Sequence, residues 1–197
     1  MAYQTLIDFT DPQDGAAPRL RCAFGAPRQV LEARTPGEVR AVLEAVQAAA
    51  QQGAWCVGGL RYEAASAFDA ALQTHPADGP LAWFAVHAAP QPWPELPPPA
   101  DAPVLQWQSP LERETFDAAL ETIHQDIASG AYYQVNYTAP LQATLQGGGP
   151  QAVPALFGAL QRAQPGGYAA CIDMGAEQVL SVSPELFFDW RAMPDGS

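Results

Sequence analysis

Gln134, Asn136 and Thr138 recur at every second position of the run Ala131-Tyr-Tyr-Gln-Val-Asn-Tyr-Thr138. In an extended chain this spacing puts three polar side chains on one face and Tyr133, Val135 and Tyr137 on the other. Such a polar face can hydrogen-bond a small substrate, and it can equally face solvent. An amide offers a donor and an acceptor but no titratable proton near neutral pH. Gln134 therefore suits the orienting of a reactant and not acid–base catalysis. Further along, Ser183-Pro184-Glu185-Leu186-Phe187-Phe188 combines a Ser/Pro turn with an amphipathic strand, and Glu185 either accepts from turn amides or faces a ligand.

Other chemistries lack their residues. The 3 histidines, His75, His87 and His124, are irregularly spaced and make no metal motif. Every basic side chain is Arg, so a Lys Schiff base and a phosphate-binding Walker lysine are excluded from this segment. Cys22, Cys56 and Cys171 are scattered and odd in number, as expected of small buried hydrophobes in a reducing compartment such as the cytoplasm. Glu63 and Asp69 read as loop or cap carboxylates, with function the weaker alternative. The 9 basic and 21 acidic residues give a net charge of -12, a field that repels nucleic acid and anionic lipid. An anionic substrate would need local positive charge. No stretch approaches the length of a membrane span, and the start of the chain lacks the basic and apolar regions of a signal peptide.

The elements that would carry these residues can be placed by pattern. Gln4–Phe9 and Leu20–Phe24 read as paired strands. Thr35-Pro36-Gly37-Glu38 supplies a capping hydroxyl, an N1 proline and an N3 acid, which predicts a helix to about Gln52 with Val39, Val42, Leu43 and Val46 on its apolar face and Gly53 as its stop. Ala54–Leu60 and Leu81–His87 read as buried strands, the glycines of the first allowing close backbone approach. The Pro-rich stretch from Ala88 is a linker or a surface strap; Trp93 and Trp107 favour the strap.

Ser109-Pro110-Leu111-Glu112 repeats the capping pattern before a helix with Phe116, Leu120, Ile123 and Ile127 on one face and Gly130 at its end. Tyr132–Leu145 is expected to be extended. A helix over Ala152–Arg162 would bury Val153, Leu156, Phe157 and Leu160, with Pro154 in its first turn. Tyr168–Asp173 and Gln178–Val182 read as a hairpin, and Leu186–Trp190 as a further strand. This divides the chain into an amino-terminal region at 1–87, a linker or strap at 88–108 and a third region at 109–197.

The run Ile127-Ala-Ser-Gly-Ala-Tyr-Tyr-Gln-Val-Asn-Tyr-Thr138, followed by Val179-Leu-Ser-Val-Ser-Pro-Glu-Leu-Phe-Phe188, resembles the opening third of the catalytic domain of the chorismate-binding enzymes. That family carries Ile-x-x-Gly-(Asp/Glu)-x-(Tyr/Phe)-x-Val here, and Ser183, Pro184 and Glu185 match its Ser-Pro-Glu signature. The residue before the Val is Lys in members that add water and Gln in members that use ammonia; here it is Gln134. Ala131 replaces the usual acid. Tyr62-Glu-Ala-Ala-Ser-Ala-Phe-Asp69 is similar to a segment of the short-form para-aminobenzoate (aminodeoxychorismate) synthases, which points to that branch. Larger members carry Asn-Pro-x-Pro-(Tyr/Phe), part of a tryptophan pocket, where this chain has Gln164-Pro165-Gly166-Gly167-Tyr168.

The resemblance implies an α/β fold of α+β type with mostly antiparallel sheets and packed helices, of which this chain supplies the first, incomplete part. It also implies a transferase that aminates chorismate for folate synthesis with ammonia from a glutamine amidotransferase subunit or domain. Gln134 would orient, with Asn136 and Thr138 on the substrate side. Mg2+ would be held by later glutamates, with no metal ligand in this segment, which alone is expected to be inactive. An anthranilate synthase component and a non-catalytic module that only binds an amidotransferase are the alternatives.

Overall fold

The computed structural model describes residues 3–98, 103–145 and 149–191. Two antiparallel sheets are sandwiched between two helices, an α+β arrangement. The first sheet has the order β2-β1-β6-β7, from Leu20–Phe24 (β2), Thr5–Phe9 (β1), Tyr168–Asp173 (β6) and Gln178–Ser183 (β7). The second has the order β3-β5-β4, from Gln29–Ala33 (β3), Ala82–His87 (β5) and Trp55–Leu60 (β4).

The two-residue period of the strands builds the layers. On β1, Leu6 faces the helix Ala152–Ala163 (α3), in a core with Phe157, Ala23, Ala169 and Cys171. Its neighbour Ile7 faces the other sheet, with Cys22, Phe24, Val57 and Ala170 around it. On the far side, the helix Pro36–Gln51 (α1) lays Val39 and Val42 over Ala33, Ala64, Leu81 and Ala82. Its start follows the capping pattern, since both the Arg34 and Thr35 amides donate to Glu38 Oε2, at 2.8 and 2.9 Å. Those two bonds hold the Glu38 carboxyl below its ordinary range.

Several expectations need correction. β3 had no strand pattern that stood out, because its Gln29-Val-Leu-Glu-Ala33 is half exposed and lies at a sheet edge. The helix after the Pro-rich stretch begins at Arg113, not at Pro110; Ser109 Oγ instead accepts from the Leu111 amide at 3.2 Å, a local turn that competes with helix. This helix, Arg113–Ser129 (α2), ends at Gly130, which is left-handed at φ 80°, but buries none of its residues. Residues 132–145 form no strand; one isolated bridge, Gln108 to Gln142, is all the ladder they make among the described residues. Leu186–Trp190 is likewise not a strand, and Phe187 is 96% exposed. α3 fully buries Ala152, Pro154, Ala155 and Phe157; of the expected set, Phe157 is buried and Val153 packs partly buried on the same core.

The Pro-rich stretch does not separate two sheets. Gln91 pairs with Ala23 through both backbone groups, at 3.0 and 2.7 Å, and Trp93 and Leu96 pack on the core under α3. β1 and β2 share their sheet with β6 and β7, so hydrogen bonding crosses the 88–108 segment.

His87 ends β5 at 3% exposure, with its ring 4.9 Å from that of Phe24 and no hydrogen-bond partner for Nε2 among the described residues. Burial lowers its pKa below the ordinary 6.5. Above that value the ring is neutral in both folded and unfolded chains and costs nothing. Below it the unfolded chain takes the proton first, so stability falls as pH falls until the folded pKa is reached. Urea unfolding at pH 7.5 and 5.5 should show this loss, and His87→Phe should flatten it; an unchanged slope in the variant would contradict the assignment.

Candidate functional site

Gln134, Asn136 and Thr138 lie in the exposed segment that follows the left-handed end of α2. Gln134 Nε2 lies 3.4 Å from Asn136 Oδ1, so the two amides do share a face, as their spacing predicts. Gln134 Oε1 has no partner of its own among the described residues. Thr138 joins neither amide. On the opposite side Tyr137 stacks at 5.7 Å on Phe116 of α2, while Tyr133 is 95% exposed. The segment thus presents amides on one side and uncovered aromatic surface on the other.

Ser183 and Glu185 are held in one turn. Ser183 Oγ accepts from the Glu185 amide at 3.3 Å and donates to the Glu185 carbonyl at 2.7 Å, an arrangement that fixes the backbone and leaves the Glu185 carboxylate exposed. Gly167 faces this turn across the hairpin. A Cβ there would lie 2.2 Å from the Ser183 carbonyl oxygen and 3.4 Å from Pro184 Cα, so only glycine allows the approach. No hydrogen bond joins the turn to the 134–138 segment among the described residues.

One polar cluster escaped the pattern reading. Asp8 is buried in the middle of the apolar strand Thr5-Leu-Ile-Asp-Phe9 and receives Arg19 Nε at 2.6 Å and Gln161 Nε2 of α3 at 3.2 Å, with Arg21 Nε at 3.6 Å. Arg19 further donates to Thr10 Oγ1 at 2.6 Å and to the Gly167 carbonyl at 2.9 Å. Arg21 covers the Trp93 ring at 4.6 Å. The signal was present in the sequence. A lone acid inside an apolar strand, paired in register with Arg21 on a strand next to Arg19, demands partners. This cluster ties β1, β2, α3 and the Gly167 turn into one unit, and so places the base of the Ser183 signature.

Burial raises the pKa of all three cysteine thiols, which disfavours the thiolate. All three are free, and burial, with Asp173 adding to it, pushes the Cys171 thiol up to about 11. His75 and His124 are exposed and His87 is buried against the Phe24 ring. Glu63 is half-buried in the short 3-10 helix Tyr62–Ala67, and Asp69 accepts from the Ala71 amide at 2.8 Å, a turn role. No group of three His, Cys, Asp or Glu side chains converges among the described residues. No helix among them is long and apolar enough to cross a membrane.

No curated protein and no solved structure matches the chain significantly. A family model described as chorismate binding enzyme, however, matches residues 10–195, a span that includes the Asp8-tied β2, the Gln134 segment and the Ser183 turn. The chain therefore belongs to the chorismate-binding enzyme family.

Proposed function

We propose that the enzyme carrying this chain aminates chorismate at C4, giving 4-amino-4-deoxychorismate for folate synthesis. One C–N bond forms and the C4–O bond breaks. The hydroxyl leaves as water, taking one of the ammonia protons. A glutamine amidotransferase subunit or domain is the proposed source of ammonia, and magnesium, held outside the residues described, would offset substrate carboxylate charge.

The observation that carries this reading is Gln134. It stands where water-adding members place a Lys base, and an amide cannot take a proton from water. Its Nε2 is directed to Asn136 and its Oε1 meets no partner among the described residues, an arrangement that supports acceptance of an N–H from the nucleophile or a hydroxyl from the substrate. Gln134 fits anthranilate formation equally well. Gly167 favours the first branch, because the position that larger members fill with the second Pro of their tryptophan pocket has no room here for a Cβ. Rescue of bacterial auxotrophs separates the two: growth without para-aminobenzoate supports the proposal, whereas growth only of a tryptophan auxotroph overturns it.

A further inference from the structure

On the α3 side of the first sheet, beside the Pro-rich strap, lies a cavity of about 510 Å3. That size falls within the roughly 300–1,000 Å3 usual for small-molecule sites. Asp8 of β1 and Arg21 of β2 line it from the sheet, and α3 contributes Arg162 from its last turn. Trp93 and Leu96 line it from the strap, which their packing on the core holds in place. A Cβ at Gly158 of α3 would lie 3.9 Å from both Leu96 Cδ1 and the Pro97 carbonyl oxygen, so the strap runs within van der Waals reach of the helix.

Two guanidinium groups at this cavity have donors to spare. Arg19 and Gln161 already satisfy the Asp8 carboxylate, at 2.6 and 3.2 Å. Arg21 Nε stays 3.6 Å from Asp8 Oδ2, near enough for charge attraction and too far for a hydrogen bond. The Arg21 guanidinium is instead held over the Trp93 ring at 4.6 Å. Stacking uses the flat face of the group and leaves its N–H edge for a planar acceptor. Among the described residues neither Arg21 nor Arg162 donates a hydrogen bond. The strap's Pro94, Pro97 and Pro98 have no N–H to offer and add only apolar surface.

The charge balance decides the class of ligand. Arg19, Arg21 and Arg162 stand against Asp8 and Glu95, which leaves one positive charge here in a chain of net charge -12. One carboxylate balances it. A second would place an uncompensated anion in a cavity that Glu95 already lines. We propose that this cavity binds a small monocarboxylate carried on a flat aromatic body. The carboxylate accepts from the N–H edge of Arg21, Arg162 adds positive potential, and the rings lie between the strap's prolines and α3. The site shares no residue with the 134–138 segment or the Ser183 turn, so it stands or falls apart from the reading of Gln134.

Titration calorimetry of the full chain with 2-naphthoate tests it, alongside 2-naphthamide, which has the shape without the charge, and naphthalene-2,6-dicarboxylate, which adds a second anion. 2-Naphthoate should bind at least roughly 10-fold more tightly than either. Arg21→Gln should weaken it by about 10-fold, and Arg21→Lys should not restore it, because an ammonium offers no planar edge. If circular dichroism shows that the Arg21 variants do not fold, Arg162→Glu, an exposed change at the end of α3, should weaken 2-naphthoate by at least roughly 10-fold. Arg61, which is bonded to Glu177 across the two sheets, supplies the control, and Arg61→Gln should leave the affinity unchanged. Absence of heat with 2-naphthoate, equal affinity for the amide or the dicarboxylate, unchanged binding in folded Arg21→Gln or Arg162→Glu, or a loss confined to Arg61→Gln would each overturn the proposal.

Discussion

Asp8→Ala should lower the unfolding free energy by about 2–3 kcal/mol, measured by urea denaturation with circular dichroism. Removing one member of a buried ion pair typically costs about 3–5 kcal/mol; Arg19, with its side chain 34% exposed, recovers part of this from water. The variant strands Arg19 Nε and Gln161 Nε2 together, while Arg19 keeps Thr10 and the Gly167 carbonyl. Asp8→Asn should cost less, because it retains one oxygen acceptor at the same place. A loss below about 1 kcal/mol in Asp8→Ala would show that the cluster is better solvated than its burial indicates.

Much of the sandwich was legible before any coordinates. α1 has a strong 3.6-residue period, punctuated by Thr35, Glu38 and Gly53, while β1, β2, β4, β5 and the β6–β7 hairpin show as short apolar runs bounded by turn residues. Periodicity reports one-sided burial, however, and fails where burial is two-sided or absent. β3 at its half-exposed edge gave little contrast. Residues 132–145 and Leu186–Trp190 alternate like strands, yet no neighbouring strand pairs with them among the described residues, and alternation alone makes no ladder. The i, i+2 spacing did bring Gln134 to Asn136, because that proximity is local. The Arg61–Glu177 bond joins residues far apart in the chain, so nothing in either neighbourhood announced it.

For Gln134 the effect lies in turnover. Gln134→Ala should reduce kcat/KM for amination by roughly 10- to 100-fold, equivalent to about 1.4–2.7 kcal/mol of transition-state stabilisation. Folding should be unaffected, since the side chain is exposed and its one described hydrogen bond is to Asn136. Gln134→Lys should be more damaging to amination, because a fixed ammonium repels ammonium approaching the site and alters its proton inventory. Water addition at chorismate should then become detectable. Near-wild-type amination by both variants, with matched circular dichroism spectra, would remove Gln134 from the mechanism and leave it as a solvated polar residue.

The most direct test is to identify the product when the enzyme carrying this chain meets chorismate, ammonium and magnesium. Mass spectrometry should find 4-amino-4-deoxychorismate, in which the enolpyruvyl group is retained and nitrogen stands at C4. Anthranilate, formed with loss of pyruvate, or isochorismate, formed by water addition, would contradict the account.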